Sequence, residues 1–129
     1  MQIDSLDHIV LTVKNIDVTV DFYAQVLGMK KEVFGEDRIA LKFGDQKLNL
    51  HEFNNEFEPK ALKPTPGSAD LCFIVKDPLD EAMSHIEAQG VKIIGGPVNR
   101  TGAKGPLLSI YFRDPDNNLI EVASEVNAV

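Results

Sequence analysis

Alternating apolar and polar residues indicate that the chain begins with a strand. In residues 7–13, DHIVLTV, every second side chain forms an apolar face, and His8 opens the other face. The next segment, NIDVTVDFYAQVLGMKK, changes to the spacing of an amphipathic helix. Asn15 or Asp17 can cap its start, and Gly28 stands where a left-handed residue ends many helices. The pattern therefore predicts a strand followed by a helix.

Two further strands and an irregular segment come next. Residues 38–44 and 46–53 alternate again, and the Gly-Asp between them is a strong hairpin signal. Residues 54–68 hold three of the seven prolines and show no apolar period. This composition predicts an extended connector rather than a helix or strand.

The second half of the chain repeats this order. ADLCFIV predicts a strand, DPLDEAMSHIEAQG predicts a helix capped by Asp77 and stopped by Gly90, and VKIIGGPV, PLLSIYF and NNLIEVAS predict further strands. The glycine-rich stretch NRTGAKGP accounts for the additional residues of this half. We therefore predict an α+β fold in which two β-α-β-β-β modules, residues 1–57 and 69–127, are joined by a proline-rich connector, 58–68. Two such modules are expected to pair around a cleft.

Length and charge narrow the class of protein. The 129 residues fit one globular domain over residues 1–129. A net charge of −7 disfavours nucleic acid and anionic membranes as partners. The chain has no run of about 18 apolar residues and no basic leader. Its single cysteine, Cys72, fits a reducing compartment and is expected to be buried. We therefore expect a cytoplasmic protein.

Candidate chemistry follows from the faces of the strands. If each sheet packs its apolar face on its helix, the opposite face lines the cleft. His8 and His51 then face the cleft from the first and last strands of one module, and Asp70 and Glu121 do so from the other. Imidazole and carboxylate together suit a divalent first-row metal, and two His with one carboxylate suit oxygen-activating iron. A slip of one residue would exchange His51 for Glu52.

Four other residues are weaker candidates for substrate binding. Arg38 opens an apolar strand, Asn49 shares the face of His51, and either could hold an anionic substrate or orient a ligand. Tyr111 could offer its phenol to the cleft. Lys104 lies in the glycine-rich stretch, which could form a mobile lid with cationic tips.

Three segments carry a family resemblance. DHIVLTV, DFYAQVLGMK and SIYFRDPDNNLIEV resemble the vicinal oxygen chelate superfamily, which includes glyoxalase I, extradiol dioxygenases, and the fosfomycin and bleomycin resistance proteins. FGDQKLNLHE and GPVNRTGAKGPLLSIYF are similar to the subgroup of glyoxalase domain-containing protein 5 and bacterial virulence-associated proteins. The resemblance covers nearly the whole chain. It implies paired modules around a metal cleft, a homodimer, and a small-molecule substrate.

The resemblance also implies a site and a reaction. It places metal ligands at His8, His51, Asp70 and Glu121, holding Zn, Ni, Mn or Fe, with Glu121 or Asp70 as the catalytic base of a glyoxalase I-like lyase or isomerase. Asp70 departs from the pattern, because fosfomycin resistance proteins and extradiol dioxygenases have His there. The alternatives are an extradiol-type dioxygenase using Fe(II) at His8, His51 and Glu121, and a non-catalytic drug-binding protein.

Overall fold

The chain folds into two compact units. The computed structural model describes residues 1–126, and the units span Met1–Ser68 and Ala69–Val129, the second described as far as residue 126. Each unit contains one helix and one four-stranded mixed sheet. The predicted α+β class and the β-α-β-β-β order of both modules are confirmed. The proline-rich connector belongs to the first unit, which ends where the second module was predicted to begin.

The first unit has the strand order β1-β4-β3-β2. Strand β1 is parallel to β4, and the other neighbours are antiparallel. The elements are β1 (His8–Val13), α1 (Ile16–Leu27), β2 (Lys30–Phe34), β3 (Arg38–Phe43) and β4 (Gln46–Glu52).

Local sequence signals set the ends of α1. The side chain of Asn15 accepts a hydrogen bond from the backbone N–H of Val18, so Asn15 rather than Asp17 is the cap. Gly28 ends the helix in the left-handed conformation, with φ of 68°. Strand β2 begins only two residues later, at Lys30, and the sequence pattern did not predict it. Its alternation was hidden because three of its five residues are charged.

The second unit repeats the arrangement with the order β5-β8-β7-β6. Strand β5 is parallel to β8, and β8, β7 and β6 are antiparallel neighbours. The elements are β5 (Asp70–Ile74), α2 (Leu79–Ala88), β6 (Gly95–Thr101), β7 (Pro106–Arg113) and β8 (Leu119–Glu125).

Two boundaries in this unit differ from the prediction. Pro78, and not Asp77, occupies the N-cap of α2, and no side chain caps the helix. Strand β6 begins at Gly95 and continues to Thr101, whereas the apolar residues that suggested it lie just before it. A bulge between Gly95 and Val98 re-aligns β6 on β7, so the apolar alternation does not follow the pairing.

Each helix covers one face of its own sheet. Helix α1 contacts β2, β3 and β4, and α2 contacts β7. Burial of each large apolar side chain contributes about 1.5–3 kcal/mol. The opposite face of each sheet, called here the open face, carries the candidate chemistry. In residues 1–126, no helix is long and apolar enough to cross a membrane. The buried core residues of the two units include Leu11, Val13, Val20, Tyr23, Leu41, Leu48 and Leu50 in the first, and Leu79, Ile86, Ile110, Phe112, Ile120 and Val122 in the second.

Candidate functional site

His8 and His51 share the open face of the first unit but lie at different positions along it. Strand pairing sets His8 opposite Lys47 and sets Thr12 opposite His51. Four residues of strand separate the two positions, which is a distance of about 13 Å. The structure therefore does not bring the two imidazoles together. Glu52 is exposed and alternates to the other face, so His51 is the residue on the open face.

His8 is held by the residue before it. The Nδ1 atom of its ring lies 2.8 Å from Oδ2 of Asp7, and the side chain is 41% exposed. The hydrogen bond from His8 lowers the pKa of Asp7. A carboxylate on Nδ1 orients the ring and leaves Nε2 available, the arrangement that commonly accompanies a metal-binding histidine.

His51 has a different environment. It is only 2% exposed, and its ring lies edge-on to Phe57 with centroids 5.5 Å apart. The Arg38 guanidinium lies 3.4 Å from Nε2, while Nδ1 has no hydrogen-bond partner in residues 1–126. Burial, reinforced by the positive charge of Arg38, lowers the pKa of His51. The ring is therefore neutral at pH 7, beside a fixed cation.

The predicted substrate residues of this unit flank His51. The Arg38 guanidinium stacks over the ring of Phe57, 4.6 Å from its centroid, and contacts Phe34 at 5.3 Å. Asn49 is 5% exposed, and its Oδ1 atom has no hydrogen-bond partner among the described residues. An unpaired buried amide oxygen is costly, which makes Asn49 a site for a hydrogen-bond donor.

In the second unit, Asp70 and Glu121 lie on the same open face. Asp70 pairs with Leu119 and Cys72 pairs with Glu121, so the two carboxylates are diagonal neighbours two residues apart in register. Cys72 is exposed, contrary to the expected burial, because it faces away from the helix. Partial desolvation, reinforced by the Glu121 carboxylate, raises the pKa of the Cys72 thiol to about 11.

A buried turn fixes the ends of β5 and β8. Asp114 accepts hydrogen bonds from the backbone N–H and the side-chain amide of Asn118, at 2.9 and 2.8 Å. Asn118 Oδ1 in turn accepts from the backbone N–H of Ala69 at 2.8 Å. This network anchors the residue before Asp70 beside β8. The sequence signal for this network is the set of short polar side chains in RDPDN, residues 113–117, between two strands.

Tyr111 and Lys104 occupy separate places in the second unit. Arg100 Nε donates a hydrogen bond of 2.8 Å to the Tyr111 hydroxyl. Tyr111 also pairs with Glu121 across β7 and β8, which places it on the open face. Lys104 lines a cavity of about 320 Å³ with Ile74, Leu107 and Glu125.

The strand registers revise the correspondence between the two modules. His8 and Asp70 each open the first strand of their sheet, opposite Lys47 and Leu119. Two residues after these partners, on the same face of the last strand, lies Asn49 in the first unit and Glu121 in the second. Asn49, rather than His51, is therefore the counterpart of Glu121. The sequence pattern had put His51 and Glu121 in corresponding places, and the pairing shows that His51 lies two residues further along its strand.

The donor types suit a divalent metal, although no complete cluster exists within either unit. Among residues 1–126, no three His, Cys, Asp or Glu side chains are grouped closely enough to hold a metal ion. The first unit offers the oriented imidazole of His8, and the second offers the carboxylates of Asp70 and Glu121. Imidazole nitrogen and carboxylate oxygen are both common ligand types for Zn²⁺ and neighbouring divalent metals.

Comparison with known proteins assigns the family. Residues 5–122 match the model of the Glyoxalase/Bleomycin resistance protein/Dioxygenase superfamily. The chain is 54% identical to the glyoxalase domain-containing protein RDO1 of Mycosarcoma maydis, covering 99% of this chain and 72% of that protein. It is 28% identical to a lactoylglutathione lyase of Schizosaccharomyces pombe, covering 93% of this chain and 47% of that one.

The solved structure of the virulence protein STM3117 from Salmonella typhimurium has the same fold. It superposes with a TM-score of 0.96 at 55% identity, covering 98% of this chain and 100% of that one. The family match spans both units, and these relatives cover almost the entire chain. The chain therefore belongs to the glyoxalase/bleomycin resistance/dioxygenase superfamily.

Proposed function

We propose that the chain is a divalent-metal-dependent enzyme of the glyoxalase I-like type, acting as a lyase or isomerase on a small substrate with two neighbouring oxygens. The observation that supports this most directly is the equivalence of the two registers. His8 and Asp70 occupy one matching position, and Asn49 and Glu121 occupy the other. Three of these four side chains are strong metal ligands. The lactoylglutathione lyase relative supports the reaction class.

The proposed metal ligands are His8, Glu121 and Asp70. His8 belongs to the first unit, and Asp70 and Glu121 belong to the second. When bound, a Zn, Ni, Mn or Fe ion would act as a Lewis acid on the vicinal oxygens of the substrate. His51 is outside the proposed set, because the adjacent Arg38 guanidinium repels a cation and the register separates it from His8.

The remaining chemistry falls to the side chains of the chain itself. Asp7 holds the His8 ring through Nδ1. Asp70 is exposed on the open face, and once it has left the metal it can take a proton from the carbon beside a substrate carbonyl, with Glu121 as the alternative base. The Asn118–Ala69 hydrogen bond keeps the start of β5 in place, which fixes the position of that base. Arg100, paired with Tyr111, supplies a cation for an anionic part of the substrate.

The two alternatives differ in their structural support. An Fe(II) dioxygenase built on His8, His51 and Glu121 requires the two histidines to meet, whereas their register separates them. A non-catalytic small-molecule binding protein is favoured by one observation, a cavity of about 430 Å³ with both polar and apolar lining beside His51 in the first unit. The enzyme proposal is preferred because it accounts for the donors of both open faces.

Proton exchange in D₂O tests the reaction class. Protein loaded with Zn, Ni, Mn or Fe is incubated with a 2-hydroxyketone, dihydroxyacetone, and deuterium incorporation beside the carbonyl is followed by NMR. We expect exchange above the rate of free metal, and a loss of at least about 100-fold in Asp70→Asn or Glu121→Gln. Glu87→Gln, on the exposed surface of α2, is the matched control and should exchange normally.

Oxygen consumption separates the alternatives. Oxygen uptake with catechol by the Fe(II)-loaded protein, without deuterium exchange by any metal form, would contradict the lyase proposal and support the dioxygenase. Absence of both reactions would support the binding protein.

A further inference from the structure

The cavity beside His51 lies wholly within the first unit and is separate from the proposed metal ligands. It has a volume of about 430 Å³ and is bounded by the ends of β1 and β4 and by the connector that follows β4. This volume lies within the range of small-molecule sites. It is called the His51 pocket, and its lining residues include Thr12, His51, Lys60, Lys63 and Thr65.

The floor of the His51 pocket carries a buried polar atom without a partner. The Nδ1 atom of His51 is buried and makes no hydrogen bond with residues 1–126. Buried polar groups of this kind are usually satisfied by a ligand, an ion or water. Thr12, opposite His51 on β1, lines the same pocket and adds a hydroxyl group to it. The unpaired Nδ1 atom therefore indicates that the pocket accepts a polar molecule.

The charges around the pocket are mainly positive. Arg38 lies beside His51 at 3.4 Å, and Lys60 and Lys63 line the rim. Lys60 forms ion pairs with Glu56 at 3.2 Å and with Glu58 at 3.6 Å, so its charge is largely neutralised. Lys63 has no carboxylate within ion-pair distance in the part of the chain that the structure describes. In a chain of net charge −7, this excess of positive charge favours an anion.

Apart from Ser68, the rest of the lining is apolar. Val10, Pro59, Ala61 and Pro64 contribute nonpolar surface, and Val10 is 46% exposed on the open face. A purely inorganic anion would leave this surface in water. An organic body attached to the anionic group would cover it, which adds hydrophobic contact to the charge interaction.

We propose that the His51 pocket binds a small organic acid, whose carboxylate or phosphate contacts Lys63, Thr12 and the His51 ring while its apolar part covers Val10 and Pro64. The proposal goes beyond the metal-dependent reaction and does not require it. None of the proposed metal ligands lines this pocket.

Titration with three isosteric probes tests the charge requirement. Metal-free protein is titrated with benzoate, benzamide and benzylamine, and backbone amide shifts are followed by NMR. We expect benzoate to shift the amides of Thr12, His51 and residues 60–68 with a Kd of about 1–10 mM, and the neutral and cationic probes to shift them far less. Equal shifts with benzamide, or no shifts up to about 50 mM benzoate, would overturn the proposal.

Substitutions locate the binding site. Lys63→Gln is expected to weaken benzoate binding about threefold to fivefold, and Lys92→Gln, an exposed lysine of the second unit, is expected to leave it unchanged. Equal weakening by both would contradict the proposal. Because Lys63 is exposed, its substitution should not disturb folding, whereas His51→Gln replaces a buried residue. His8→Ala should bind benzoate normally, so failure of the metal site would not be mistaken for failure of this pocket.

Discussion

Asp7, the residue before β1, and His8, its first residue, are joined by a 2.8 Å contact between Oδ2 and Nδ1. The contact selects the tautomer with the proton on Nδ1 and directs Nε2 away from the carboxylate. His8 therefore combines two properties of a metal ligand, an oriented ring and an accessible second nitrogen.

Removal of this carboxylate should weaken metal binding. Asp7→Asn is expected to raise the Kd for Mn²⁺ about tenfold, at the low end of the usual range because both side chains are partly solvated. Electron paramagnetic resonance titration measures the change. Asp4→Asn, whose partner is Ser5, is the control. An unchanged Kd in Asp7→Asn would show that His8 is not a ligand or is not oriented by Asp7.

The thiol of Cys72 reports on Glu121. Because its pKa is about 11 rather than the ordinary 9.0, its thiolate fraction at pH 8 is about 100-fold below that of a free cysteine. Alkylation by iodoacetamide should be correspondingly slow, and Glu121→Gln should accelerate it about threefold to tenfold by removing a negative charge. Glu125→Gln, further along the same face of β8, should have little effect. Similar rates in all three proteins would mean that Cys72 and Glu121 are not neighbours.

Asn118 should contribute more to stability than an ordinary surface asparagine. Asn118→Ala removes a donor from Asp114 and an acceptor from Ala69, all in a buried setting. We expect a loss of about 2–4 kcal/mol in the free energy of unfolding, measured by urea denaturation. Asn99→Ala, on an exposed strand position, should change it by less than about 0.5 kcal/mol. A loss as small as that of the control would contradict the anchoring role of the turn.

His51 makes stability depend on pH. Its pKa is lower in the folded protein than in the unfolded chain, so the unfolded state binds the proton more readily. The neutral ring contributes its full stability above pH 6.5, and this contribution is lost as pH falls through 6.5 towards the lower folded pKa. Urea midpoints between about pH 7.5 and 5.5 should fall more steeply in the wild type than in His51→Gln. Parallel curves would contradict this assignment.

The sequence pattern predicted the faces of strands better than their register. Apolar alternation correctly put His8, His51 and Glu121 on open faces. A shift of the strand pairing by one residue would turn all apolar side chains of the strand away from the core, so the face is strongly determined. It could not show which residue lies opposite which, since a shift by two residues preserves every face. The equivalence of His51 with Glu121 failed for this reason, and the pairing identifies Asn49 instead.

Elements with weak apolar signals were also missed. Strand β2 is mostly charged and only five residues long, so it shows too little apolar alternation to be recognised after α1. Cys72 was expected to be buried because it lies within an apolar run, yet β5 presents alternate residues to each face. The His51 pocket depends on how the connector folds back over β1 and β4, which local periodicity does not encode.

Metal content measured by mass spectrometry tests the central claim most directly. Tag-free protein, as purified and after reconstitution with Zn, Ni, Mn or Fe, is compared with His8→Ala, Asp70→Ala, Glu121→Ala and the control His85→Ala. The proposal predicts about one metal ion per site in the wild type and in His85→Ala, and loss of metal in His8→Ala, Asp70→Ala and Glu121→Ala. A wild type that stays metal-free after reconstitution, or metal retained in all three ligand variants, would contradict it.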